Sequence, residues 1–253
     1  MSPDALYAQV ARELRRQIMS GQLKPGDVVP SEGELSDQHR VSRQTVRDAF
    51  KLLISEGLIT AGQGRRRRVR SNKPMVFRIQ EELEPRPTNP EMDQFLQRFS
   101  VEGRTPSQAI DVAVTSPPDL VRERLQLEDD ALSVVRRRVR FLDGEASHLN
   151  DTYFPYEIVK DTEIMRPEDI AKGAMRVLRD HGYKQARNLD EIWVRMPTES
   201  ETQRLGLPQG TPVAQHVRTT FTAEGQPIRC AVSIFPGDRN VMALELDVPE
   251  TWK

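Results

Sequence analysis

The stretch PSEGELSDQHRVSRQTVRDAF, residues 30–50, decides how the first third of the chain folds. Ser31-Glu32-Gly33-Glu34 has the spacing of a capping box. The Ser31 hydroxyl accepts from the Glu34 amide while the Glu34 carboxylate reaches back, so a helix is predicted from about Glu32 to His39. Val41-Ser42 follows with almost no spacer. Ser42 is a second N-cap candidate, and Val46, Ala49, Phe50 and Leu53 form the apolar stripe of a third helix that ends at Gly57. Two short helices joined by so tight a turn make a helix-turn-helix.

On the N-terminal side, Tyr7, Val10, Leu14 and Ile18 recur at helical spacing, Arg12, Arg15 and Arg16 take the other faces, and Gly21 stands at a C-terminal stop. On the C-terminal side, Leu58-Ile59-Thr60 and Val69 predict two short strands around Gly62-Gln63-Gly64 and the run Arg65, Arg66, Arg67, Arg68. That is a wing with a basic loop. Ser42, Arg43 and Gln44 open the third helix, where free amides and the helix dipole favour phosphate; the arginine fork suits guanine and glutamine suits adenine. Arg47, one turn on, suits a phosphate. For Ser42 and Thr45 simple capping is the competing reading. Charge agrees with a polyanion partner for this part alone: residues 1–72 hold 13 Lys+Arg against 8 Asp+Glu, a balance of +5, whereas the remainder carries −6.

Residues Leu6 to Val69 resemble the GntR-type winged helix. The resemblance rests on Ile18-x-x-Gly21, Leu23-Lys-Pro25-Gly26-Asp27, Pro30-Ser31-Glu32-x-Glu34-Leu35, Val41-Ser42-Arg43-x-Thr45-Val46-Arg47 and Leu52-x-x-x-Glu56-Gly57. It implies that the third helix enters the major groove and the wing tip touches the minor groove. The DNA-contacting residues would then be Ser31, Ser42, Arg43, Gln44, Thr45 and Arg47, with Gln63, Gly64, Arg65 and Arg66 at the wing. The chain departs from the pattern at Gly33, where the family usually has arginine.

Residues 71–90 carry four prolines and mixed charge and read as a semi-rigid linker. The domain limits expected are 1–72 for the winged helix, 73–91 for the linker and 92–253 for a second domain. That domain opens with an amphipathic helix from Glu91 to Ser100. Residues 110–155 then align with 190–236 at an offset of 80, rising to 81. Val114 pairs with Val194, Pro117 with Pro197, Arg124-Leu125 with Arg204-Leu205, Arg138 with Arg218, Phe141 with Phe221, and Phe154-Pro155 with Phe235-Pro236. Each copy reads as a strand, a short helix and a hairpin, with a helical stretch from Glu168 to Gly182 between the copies. The expected fold class is α+β: a winged helix-turn-helix followed by one antiparallel sheet covered by helices, two pseudo-repeats meeting at a ligand crevice. Arg136, Arg138 and Arg140 share one strand face, which is either solvent or the floor of a charged pocket.

This half resembles the UTRA ligand-sensing domain of the HutC subfamily, which shares its fold with chorismate lyase. The matching residues are Gly103-Arg-Thr-Pro-Ser107, Arg138-x-Arg140 followed by Asp143-Gly144 and Tyr153-x-Pro155, then Glu224-Gly225-x-Pro227 and Asp238-Arg239. The resemblance implies an effector pocket lined by Thr105, Ser107, Arg138, Arg140 and Tyr153, with Arg229 and Ser233 from the second copy. Ala174 stands where many members have serine, and Arg229 lies near a position usually acidic.

Cys230 is the only cysteine, so no internal disulfide forms, and neither a zinc spacing nor a membrane-length apolar run is present. His39, His148, His181 and His216 fit no nucleophile–base order or metal spacing, so catalysis and metal binding are not expected. The sequence thus predicts a cytoplasmic, homodimeric transcriptional regulator, a repressor in the first instance. It would bind double-stranded operator DNA at an inverted repeat, with no cofactor, no membrane partner and a small-molecule, anionic effector. The alternatives are an orphan regulator whose second domain binds no small molecule and a lyase-like enzyme.

Overall fold

The computed structural model describes residues 6–60, 66–70, 74–82, 93–208 and 210–246. They fall into two compact units. The first comprises residues up to Phe77 together with Gly206–Thr211 and Gly237–Met242, and the second comprises Arg78–Leu205, Pro212–Pro236 and the chain from Ala243 onward.

In the first unit three helices, α1 (Leu6–Met19), α2 (Glu32–His39) and α3 (Arg43–Ser55), close around a core of Val10, Leu14, Leu35, Val46, Phe50, Leu53, Ile59 and Val69. Tyr7, placed on the core stripe by spacing, is instead exposed. The α2–α3 turn is set by Arg40 in the left-handed region at φ 52°, with the Ser36 hydroxyl donating to the Val41 carbonyl at 2.6 Å. The wing is built from single bridges, Ile59 to Val69 and Val28 to Arg68, so the turn after α1 adds a third segment that the sequence reading lacked. The reading of 71–90 as linker needs correction at its start. Met75–Arg78 forms a strand, β1, paired with Asn240–Ala243, the last strand among the described residues. Met75, buried, supplies an apolar anchor, and its amide donates to the Arg239 carbonyl at 2.9 Å.

The second unit contains a six-stranded antiparallel sheet of β2 (Pro106–Thr115), β3 (Ser133–Leu142), β4 (Glu145–Pro155), β5 (Arg187–Arg195), β6 (Val213–Phe221) and β7 (Pro227–Pro236), in the order β2-β3-β4-β7-β6-β5. The strand Asn240–Ala243 is β8. The sequence repeat is a structural one. Ile110 pairs with Arg138 and Asp190 with Arg218; the ladder shifts at Arg140/Phe141 and at Thr220/Phe221; both relations keep the offset of 80. Helices α5 (Asp119–Leu125) and α8 (Glu199–Leu205) repeat at the same offset. The halves meet along β4 and β7, where Asp151 faces Val232, its own counterpart at an offset of 81, so the pseudo-twofold axis passes through that pair.

Strand alternation gives the sheet two unlike faces. On the lower face Val135, Tyr153, Val217 and Cys230 form a core with Val121 and Leu125 of α5. The upper face carries Arg136, Arg138 and Arg140. One end of it is covered by α6 (Tyr156–Val159), the turn Glu163–Met165 and α7 (Ala174–Asp180), which pack Ile158, Ile164, Val177 and Leu178 on Val134 and Phe154. At the other end α4 (Gln94–Val101) sets Phe95 edge-on to His148 at 5.5 Å, and His148 stacks on Phe235 at 4.8 Å. Two helix limits differ from expectation. Asp93 caps α4, with Glu91 and Met92 outside the described residues, and the helix predicted from Glu168 is confined to α7. Gly173 at φ 82° cannot continue a helix, and the Glu168 carbonyl accepts from Arg136 instead of a helical amide.

Candidate DNA-contacting face and effector pocket

The first unit presents the N-terminus of α3. Ser42 accepts from the Thr45 amide at 3.1 Å and shares a 2.9 Å hydrogen bond with the Thr45 hydroxyl, so both hydroxyls are used in capping. Ser31 does the same for α2: the Glu34 amide donates to it at 3.2 Å while the Ser31 amide donates to the Glu34 carboxylate at 2.6 Å. That amide and the Ser31 hydroxyl hold the Glu34 carboxyl below the usual carboxylate range. Arg43 is exposed with no ion pair to a described residue. A Cβ at Gly33 would sit 3.9 Å from its terminal nitrogen, in ordinary contact, so position 33 borders the Arg43 guanidinium. Gln44 donates to Asp48 at 3.2 Å, within its own helix.

The basic residues divide into two groups. Arg47 pairs with Glu32 at 2.9 Å, and Arg67 donates to the same carboxylate at 3.3 Å while lying 4.5 Å from the Phe50 ring centroid. Arg68 donates to the Gly26 carbonyl at 2.7 Å. Two of the four wing arginines therefore fasten the wing to the core. Arg66 is exposed, while Gln63, Gly64 and Arg65 lie outside the described residues.

On the upper face of the second unit, three neighbouring arginines have three different fates. Arg136, fully buried, donates to the carbonyls of Ile164 at 3.0 Å, Glu168 at 2.7 Å and Arg166. Arg140 donates to both oxygens of Asp93, at 2.6 and 3.1 Å, and lies 4.9 Å from the Phe95 ring centroid. Arg138, between them and 9% exposed, makes no hydrogen bond or ion pair to a described residue, and its Nε is buried without a partner. Burial, then the charges of Arg140 and Arg136, lower its pKa to about 10, so it stays charged at neutral pH. The solvent-facing alternative for these arginines is thereby removed.

The register puts Arg138 in one row across the sheet with Ile110, Asn150, Ser233 and His216. Asn150 donates to the Ser233 hydroxyl at 2.9 Å, and Thr152 donates to Asn150 at 3.2 Å. In the next row Gln108, beside Arg140, has a buried Oε1 with no partner. A donor and an acceptor left open on adjacent rows, between two helix-covered ends, are what a small polar ligand would satisfy. His148 cannot supply a charge there: burial, assisted by Arg140, pushes its pKa down to about 3.

Related by the repeat, Arg218 has no such opening. It donates to both oxygens of Asp190, at 2.7 and 3.2 Å, and to the Ile79 carbonyl at 2.5 Å, while His216 meets the same carboxylate at 2.7 Å. Burial alone would raise Asp190, but His216 and Arg218 outweigh it and hold the carboxyl below its usual range. In the first half the place of Asp190 is taken by Ile110.

The residues expected in the pocket are only partly brought together. Arg138, Arg140 and Ser233 share the upper face. Tyr153 and Ser107 fall at the alternate strand positions and face away, Tyr153 into the lower core. Thr105 sits at the sheet's edge, its amide donating to Asp143 at 2.9 Å. Arg229 lies four residues along β7 from Ser233, about 13 Å at strand rise. Sequence reasoning missed Gln108, Asn150 and Asp93. Asp93 carried a readable signal, an acidic residue just before an apolar helical stripe, which is an N-cap pattern.

A capped helix-turn-helix with a basic wing, joined to a doubled sheet whose Arg138 is open among the described residues, defines a DNA-binding regulator with a sensing domain. Residues 6–69 match the family of bacterial regulatory proteins of gntR type, and residues 102–240 match the UTRA domain. The chain belongs to the GntR family of transcriptional regulators with a UTRA effector-binding domain, the HutC-type architecture, and is a regulator rather than an enzyme. The transcriptional repressor NagR of Bacillus subtilis is 26% identical over 247 residues, spanning 97% of this chain and 96% of NagR. MngR, repressor of the mannosyl-D-glycerate transport/metabolism system of Escherichia coli, is 24% identical over 248 residues, spanning 94% of both. Among crystal structures, PhnF of Mycobacterium smegmatis superposes with a TM-score of 0.56 at 22% identity, over 95% of this chain and all of PhnF. Among the described residues no helix is long and apolar enough to cross a membrane, and no cluster of His, Cys, Asp and Glu could hold a metal ion.

Proposed function

We propose that the chain is a cytoplasmic homodimeric repressor that binds an inverted-repeat operator and changes its affinity when a small anionic effector enters the pocket at Arg138. No cofactor takes part. The observation that carries this reading is the buried Arg138 guanidinium, without a hydrogen bond or ion pair to a described residue, whose counterpart Arg218 in the other half is closed by Asp190. Repression follows the names of relatives that align along nearly the whole chain. A twofold dimer follows from the small footprint of one winged helix, which two copies on a palindrome double.

The test begins with genomic footprinting of the purified protein, whose neighbouring genes name candidate effectors. Operator binding is then titrated with and without the effector for wild type and Arg138→Ala. The wild type should shift its operator affinity by a factor corresponding to about 1 to 3 kcal/mol, and the variant should bind operator normally and show no shift. A variant that responds at the wild-type effector concentration would sink the reading, and a monomer on DNA in sedimentation would sink the dimer.

A further inference from the structure

Resting on the pocket assigned above, we infer that Asp93 is a resident anion of the effector site, which restricts the effector to one negative charge beside a hydrogen-bond donor and turns away phosphate monoesters. Asp93 is held from two directions. It accepts the amides of Phe95 and Leu96 at the start of α4, at 2.9 and 3.4 Å, and both terminal nitrogens of Arg140 at 2.6 and 3.1 Å. Amides of a helix start and a bidentate arginine are the groups with which proteins hold phosphate. Here a side chain of the protein fills that place. Burial opposes its ionisation, but Arg140, then Arg138 and the Phe95 amide, keep the carboxyl below its usual range, so it stays an anion at neutral pH.

Charge accounting around the pocket then leaves little choice. Arg140 is answered by Asp93, and Arg136 by three carbonyls with Glu168 and Asp169 nearby. Of the three, Arg138 alone makes no hydrogen bond or ion pair to a described residue, and one guanidinium answers one negative charge. A dianionic phosphate would bring its second charge up to the Asp93 carboxylate, and like charges in a buried site repel strongly. The neighbouring Gln108 Oε1, buried and unpartnered, asks the ligand for a donor. A carboxylate that also carries a hydroxyl or amino group meets both demands.

The experiment uses calorimetric titration of the full-length protein with inorganic phosphate at neutral pH. The variants are Asp93→Ser, which removes the charge and keeps a capping oxygen, and Asp93→Ser with Arg138→Leu; retained operator binding reports that each is folded. Asp93→Asn serves in place of the serine variant if that one fails to fold. Wild type should show no saturable binding in the millimolar range. Asp93→Ser should gain about 10- to 100-fold in phosphate affinity, the worth of one charge-assisted contact, and the double variant should lose the gain. A folded Asp93→Ser without a gain, or a wild type binding phosphate as tightly as that variant, overturns the role of Asp93. A gain that survives Arg138→Leu leaves Asp93's role standing and overturns instead the assignment of Arg138 to the ligand.

Discussion

Arg70 donates to Asp238 at 2.5 Å across 168 residues of sequence, with the arginine side chain 7% and the aspartate 19% exposed. Asp238 stands two residues beyond the end of β7, the strand that carries Ser233 into the row of Arg138, while Arg70 closes the winged-helix sequence. The Arg70–Asp238 pair lies within the first unit and ties the segment after β7 to the end of the winged-helix sequence. Burial alone would raise the Asp238 carboxyl, but Arg239 and Arg70 hold it below its usual range.

Asp238→Asn should therefore destabilise the protein by about 2 to 3 kcal/mol, somewhat less than a fully buried pair loses when one partner goes. The sign of its pH dependence follows. A carboxyl whose folded pKa is depressed contributes stability that is whole above its unfolded pKa near 4 and fades as pH falls through the folded value. Urea midpoints of wild type and variant should differ at pH 7 and converge below pH 4. A constant difference down to pH 2.5 would show that the carboxylate charge is not what stabilises.

The wing arginines separate by what they touch. Arg66→Ala should leave thermal stability unchanged, weaken all DNA sequences alike and reduce the salt slope by about one. Arg67→Ala, which strips a cation from Phe50 and a partner from Glu32, should lower stability by about 1 kcal/mol. Fluorescence anisotropy across salt concentrations with parallel melting curves distinguishes the two. Equal loss of stability in both variants would contradict the division.

Arg43→Ala should cost about 1 to 3 kcal/mol per subunit and relax base preference, since the exposed fork opens the reading helix without an internal partner. Selection from a randomised operator library reads this directly. A variant that selects the same sequence as wild type would make Arg43 a backbone contact only.

Arg138→Leu should be at least as stable as wild type, because a buried guanidinium without a partner is replaced by an apolar group. It should also be deaf to effector. Melting temperature and effector-dependent operator binding together test this, and a variant less stable by more than about 1 kcal/mol would mean that Arg138 has a structural partner in the free protein.

Much of this architecture is local and so was readable in the chain. The caps of α2 and α3 depend on residues three apart, and the repeat on spacings of 80, so Ser31, Ser42 and the doubling of the sheet announced themselves. What stayed hidden depends on partners far along the sequence. That Arg67 would turn inward depends on Glu32, the strand at Met75 on a mate near Asn240, and the helix start near Glu168 on Arg136 taking its carbonyl. The candidate site was half legible for the same reason. Alternation put Arg136, Arg138 and Arg140 on one face, but which of the three was left open depended on Asp93 and on residues 164–168 folding over the sheet.

The pairing of Ile110 with Arg138 and of Asp190 with Arg218 bears on how many molecules the protein counts. A doubled fold would ordinarily offer two equivalent receptors, with the graded response that partial filling brings. Here the Asp190 carboxylate fills the second position, so with the effector assigned to Arg138 as proposed each chain should saturate with a single equivalent, and its reply to rising concentration should be that of one occupancy, sharpened only by whatever a second chain adds. The carboxylate is portable: Ile110→Asp would set it opposite Arg138 as Asp190 stands opposite Arg218, and should abolish effector binding.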